Sequence, residues 1–282
     1  MYEMIFLLIL AFVWIIFASV QDLKKREVAD WLNFSLIIFA LGFRFFYCLF
    51  DTENFIFFYQ GLIGLAIFFV IGNFLYYGRF FAGGDAKLMI ALGTILPLSN
   101  SFFINLKIFS IFFIIFLFAG AFYGLFCTFV LAFSNLKNFK REFIILFNKY
   151  KIFISFFLFV SIFIILLGFL FNYILLAYFG ILVFILPYLF LFAKAVEEGC
   201  LIKEVKSRDL TEGDWLYKDI KVGNKIIKSK WDGLNKEEIT LIRKNKKSVL
   251  IKQGIPFIPV FLISLLVLIY FLWNSFWEFN IF

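Results

Sequence analysis

The 282-residue chain contains no histidine. That removes Ser-His-Asp and Cys-His catalysis, H-E-x-x-H metallopeptidases and Ser-His membrane dyads together. It has only three cysteines, Cys48, Cys127 and Cys200, widely separated. A disulfide framework or a cysteine zinc site is therefore not expected. Proline occurs four times and charged residues make up 16%. Acid/base work is left to carboxylates, lysines or tyrosines, and no metal or cofactor is implied.

What the chain has in excess is apolar surface. Hydrophobic residues are 64% of the total, with 48 phenylalanines, a composition that fits a polytopic helical membrane protein. Apolar runs cover Met4–Val20, Leu32–Phe50, Phe55–Tyr77, Ala86–Pro97, Phe102–Phe133, Ile152–Phe171, Tyr173–Ala193 and Phe257–Phe276. They predict an all-α membrane protein of about eight transmembrane helices. Glu3 and the lack of a basic start make the first run a retained span rather than a cleaved signal. The fourth run is short, since about twelve helical residues reach ~18 Å against a hydrocarbon core of ~30 Å. It must begin within the preceding glycines or lie in an enclosed, thinned region. The fifth is overlong, and the sixth and seventh make a tight hairpin around Asn172.

The net charge of +8 reads as membrane orientation rather than as a nucleic-acid surface. With the N-terminus outside, nearly all of the 27 lysines and arginines fall on the inner side, Arg44 and Lys107 excepted. The protein is expected to be a multi-pass cell-membrane protein with the bilayer as its surroundings and no nucleic-acid partner. Residues 194–253 are polar and form a small α+β insertion before the last helix. Asp219–Val222 and Lys225–Lys228 flank Gly223-Asn224, a hairpin signal, and Asn235 with Glu238 resembles a capping box. The expected division is a membrane core (1–193), the cytoplasmic insertion (194–253) and a final span (254–282).

Two acids stand out against this background. Asp22 ends the first run directly, ahead of Lys24, Lys25 and Arg26. Asp85 opens the fourth, in Phe81-Ala82-Gly83-Gly84-Asp85-Ala86-Lys87. Carboxylates beside lipid are costly and mark functional sites, and both fall on the inner side. Asp30 is a weaker competitor, explicable as a helix start. Asp85 itself has a plain reading as a helix N-cap behind a glycine hinge. Gly83 and Gly84 supply backbone access beside the acid. Lys87 has two roles open, tuning Asp85 or reaching phosphate headgroups. A second reading of the pair is a proton- or cation-coupled transporter, although acids at one interface suit an ion path poorly.

Taken together, these clusters resemble the prepilin peptidases of the G-x-G-D aspartyl class, related in motif to presenilin and signal peptide peptidase. In that family a catalytic Asp after the first span precedes basic residues and a hydrophobic-Pro-Asn/Asp step, matched here by Asp22-Leu23-Lys24-Lys25-Arg26-Glu27-Val28-Ala29-Asp30. The second lies in G-x-G-D-x-K, matched by Gly84-Asp85-Ala86-Lys87. Ala29 stands where Pro is usual and Ala82 where the first Gly is usual. Glu212–Leu216 and Gly254–Leu262 resemble the C-terminal extension of archaeal members. The resemblance implies an aspartic endopeptidase with Asp22 and Asp85 catalytic. Its partners would be type IV pilin-like or archaellin precursors bearing class III signal peptides, cut at the cytoplasmic face. The four-cysteine segment of many bacterial members is missing, so peptidase activity without methylation is expected.

Overall fold

The computed structural model describes residues 2–52, 54–223 and 225–275. Nine α-helices are found among them, and they fall into two compact units: residues 1–125 with 255–282, and residues 126–254.

The first unit holds α1 (Tyr2–Lys25), α2 (Asp30–Tyr47), α3 (Ile56–Tyr77), α4 (Gly83–Leu92), the first part of α5 (Phe102–Ser134) and α9 (Pro259–Ser275). Leu7, Ala11, Ile15, Ala18 and Asp22 line the buried face of α1 at helical spacing. Large apolar residues such as Ile38, Val70 and Phe122 remain exposed, as lipid-facing positions do in a membrane protein. Six helices among the described residues are long and apolar enough to cross a bilayer: α1, α2, α3, α5, α6 and α7. Helix α9 has 17 residues, and Phe276, the expected end of that span, lies outside the described residues. Helix α4 is the shortest of the expected eight, with ten residues and a length of about 15 Å. It starts inside the glycine stretch, and it is enclosed, with Leu88, Met89, Ala91 and Leu92 buried.

Close backbone approach explains how so short a helix is held. A Cβ on Gly64 of α3 would lie 2.2 Å from the Gly93 carbonyl oxygen, and one on Gly93 would lie 2.6 Å from that of Gly64. At the far end of α4, the Arg44 guanidinium is fully buried and donates to the carbonyls of Phe57, Thr94, Ile95 and Pro97 at 2.6–3.3 Å. It also stacks 4.2 Å above the Phe57 ring. Orphan carbonyls after a helix end need donors, and Arg44 serves three of them, Thr94, Ile95 and Pro97, besides Phe57 at the start of α3. Its place apart from the other basic residues is thus structural.

The second unit holds the rest of α5, then α6 (Leu136–Leu170) and α7 (Ile174–Cys200). The expected turn is present: Asn172 adopts φ 54°, and Gly168 and Gly180 let the two helices approach backbone to backbone. The basic stretch 137–151, between the fifth and sixth apolar runs, is the first part of α6. Its charged residues are good helix formers. Phe139, Phe143, Leu146, Tyr150 and Ile154 recur at helical spacing and pack with Leu191 and Ala195 of α7.

The polar insertion carries β1 (Ile202–Lys206), β2 (Trp215–Leu216), β3 (Ile220–Val222), β4 (Lys225–Ile227), α8 (Lys236–Asn245) and β5 (Ser248–Lys252). Antiparallel β1-β5-β2 forms one sheet and the β3-β4 hairpin another. Asn224 of the hairpin turn lies outside the described residues. The capping box forms as expected: the Asn235 side chain accepts from Glu238 N at 2.8 Å, and the Glu238 carboxylate accepts from Asn235 N at 3.1 Å. The sheet strands were not foreseen. They are short, and β1 and β5 alternate too weakly to stand out in a lysine-rich segment.

Candidate active site

Helix α1 ends just after Asp22, with Lys24 and Lys25 in its last turn, where cations complement the helix dipole. Arg26 closes the helix in the left-handed region at φ 58°, its N–H bonded to the Asp22 carbonyl at 2.8 Å. The Gln21 side chain then accepts from Ala29 N at 3.1 Å. The return into α2 is therefore tight, and Asp22 is left pointing into the unit, 7% exposed. One of its oxygens accepts from Ile258 N at 3.0 Å. Ile258 directly precedes Pro259, the first residue of α9, so the start of the last helix is tied to the end of the first.

Asp85 is the third residue of α4, not its N-cap. Ala82 holds the cap position, and its N–H donates to the Asp85 carboxylate at 3.2 Å. The plain capping explanation thus accounts for one oxygen of Asp85. Gly83 and Gly84 lie inside the first turn of the helix rather than forming a hinge before it. The carboxyl group lies within electrostatic reach of Asp22, so the fold brings the two acids of residues 22 and 85 into one site. Phe81 fastens this turn to the start of α9, its ring 6.1 Å from that of Phe257 and 6.2 Å from that of Phe261.

Neither departure from the family motif strains the backbone. Ala29 sits at φ −63°, the value a proline would impose. Ala82 sits at φ −73° and ψ 164°, an extended conformation open to any residue. Gly84 is also unforced by the chain around it. A Cβ there would meet Val28 at 3.5 Å, an ordinary contact, and one on Gly83 would come no closer than 3.9 Å to Tyr76.

Lys87 has a partner that neither expected role included. Its ammonium pairs with Asp30 at 2.5 Å, tying α4 to the first turn of α2. Asp30, the competing acid of the first loop, is thereby committed to a largely exposed ion pair. Sequence reasoning did not anticipate the contacts of Ile258, Phe81 and Val28 around the site, nor those of Arg44 at the far end of α4. Only Arg44 left a signal, as a lone basic residue deep in an apolar run.

Residues 9–136, which include both acids, match the type IV leader peptidase family. Two curated relatives are similar, each named preflagellin peptidase. One, from Methanocaldococcus jannaschii, is 33% identical over 86 residues, 30% of this chain and 36% of the relative. The other, from Methanococcus maripaludis, is 30% identical over 145 residues, 47% of this chain and 62% of the relative. The chain therefore spans less than two thirds of either relative's length. No solved structure matches. With the two acids within reach of one another at the ends of α1 and α4 and the match running through both, residues 9–136 of this chain resemble the type IV leader peptidase family.

Proposed function

We propose that the protein is an aspartic endopeptidase that removes the short basic leader from type IV pilin-like or archaellin precursors at the cytoplasmic face of the membrane. The observation that carries this reading is the meeting of Asp22 and Asp85, two carboxyl groups from separate helices within electrostatic reach. A pair of neighbouring carboxyls shares one proton. The ionised member takes a proton from water, which attacks the scissile carbonyl. The protonated member donates a hydrogen bond to that carbonyl and then helps protonate the leaving amine. No metal is required, and the names of the two relatives support leader-bearing precursors as substrates.

Gly83, Gly84 and Lys87 take supporting roles. The two glycines leave the backbone next to Asp85 open to a substrate strand. Lys87 holds the turn by its pair with Asp30. The test is cleavage of a class III precursor by the protein in membranes. Asp22→Asn and Asp85→Asn should each lower the rate by at least ~10²-fold, the usual contribution of general acid–base groups, while the protein remains folded. Normal processing by either variant would overturn the two-acid mechanism. Full inhibition by EDTA, restored by zinc, would do the same.

A further inference from the structure

Asn33 is 1% exposed, and neither its amide nitrogen nor its carbonyl oxygen has a hydrogen-bond partner. A buried side chain with both ends unpaired costs stability and calls for an explanation. Its position supplies one. Helices α1 and α2 run antiparallel, with Trp14 Nε1 donating to Ser35 Oγ at 2.9 Å and Phe6 stacked on Phe43 at 4.2 Å. On α1, Ser19 lies one helical turn from Asp22 on the same buried face. The Ser19 hydroxyl is also buried and unpaired. Asn33 itself lies one turn beyond Asp30, whose carboxylate holds Lys87, two residues from Asp85. Helix α2 packs against both α1 and α4. Asn33 therefore lies buried on the helix that packs against both helices that carry the acids.

We propose that Asn33 binds the substrate's backbone, its amide nitrogen donating to one peptide carbonyl and its oxygen accepting from one peptide N–H beside the scissile bond. This rests on the peptidase reading above. A precursor whose apolar segment begins at the cleavage point must be locally extended for water to reach the carbonyl carbon. Its peptide groups then lose their helical partners in surroundings with little water, where unpaired backbone groups are costly. A carboxamide offers one donor end and one acceptor end, the complement of a peptide unit. The polar groups left unpaired in the resting protein are satisfied when the site opens and the substrate enters.

The test uses the full chain in lipid vesicles with a class III precursor and with precursors carrying single backbone amide-to-ester replacements around the cleavage point. Asn33→Leu, close in shape to asparagine, should unfold at the same or a higher temperature than the wild type and lose about tenfold in kcat/KM for each neutral hydrogen bond removed. One ester substrate should slow the wild type about tenfold and slow Asn33→Leu no further. Wild-type kcat and KM in Asn33→Leu would overturn the proposal, as would equal ester effects in both proteins at every position. So would a lower unfolding temperature in both Asn33→Leu and Asn33→Ala, since the amide would then be paired in the resting protein. A wild type that cleaves no precursor, and so behaves as Asp85→Asn does, would overturn the peptidase reading and this inference with it.

Discussion

Gly84 gives the sharpest residue-scale test. An added methyl meets Val28 at an ordinary contact distance, and the residue is helical with no positive φ. Exchange for alanine inside a helix is mildly favourable by itself, by up to ~1 kcal/mol. Gly84→Ala should thus unfold at the wild-type temperature or slightly above, while cleavage falls by at least tenfold. Thermal unfolding and precursor cleavage measured on one preparation check it, and unimpaired cleavage would mean that the substrate backbone does not approach this residue. Asp30→Asn makes the companion measurement. Its ion pair with Lys87 is largely exposed and worth at most ~1 kcal/mol, so most activity should survive. Complete loss would mark Asp30, not Asp22, as the acid of the first loop.

The shortness of α4 makes Arg44 decisive at the scale of elements. Arg44→Leu would leave the carbonyls of Phe57, Thr94, Ile95 and Pro97 without this donor. Buried unpaired groups cost ~1–3 kcal/mol each, so the variant should lose more than ~3 kcal/mol and unfold well below the wild type. Arg44→Lys should not restore it, because a compact ammonium cannot replace a planar fork that reaches several acceptors. Wild-type unfolding of Arg44→Leu would show that α4 needs no such support. In the insertion, burial raises the pKa of Glu238, but the Asn235 N–H and the Lys230 ammonium outweigh it and leave the carboxyl below its ordinary value. A lowered folded-state value contributes stability above the unfolded pKa, and that stability is lost as pH falls through the folded one. The unfolding-temperature gap between wild type and Glu238→Gln should therefore be present at pH 7 and shrink as pH drops below about 4.5, the unperturbed value. A gap that does not change with pH would remove the charged cap from the account.

Orientation belongs to the whole molecule. From the distribution of basic residues we propose that both acids lie on the cytoplasmic side, where a leader peptide would meet them. Single cysteines in a chain without Cys48, Cys127 and Cys200 test this. Lys225→Cys in β4 should react only from the cytoplasm and Tyr173→Cys, at the turn between α6 and α7, only from outside. The reverse pattern would invert the protein and place the acids beyond reach of a cytoplasmic leader.

Sequence alone determined the membrane class, the helical hairpin at Asn172, the β3-β4 hairpin, the capping box at Asn235 and the two acids as candidates. Each depends on signals within a few residues: long apolar runs, a turn residue, a cap spacing, a charge at the end of a run. The tertiary structure decided what depends on distance. It tied Asp22 to Ile258, 236 positions along the chain, paired Lys87 with Asp30 and set Arg44 under the end of α4. It also made a helix of the basic stretch after Asn135, whose apolar side chains pack on α7. Such partners are chosen by burial and by the need of every buried polar group for a bond, and neither is visible until the chain has folded back on itself.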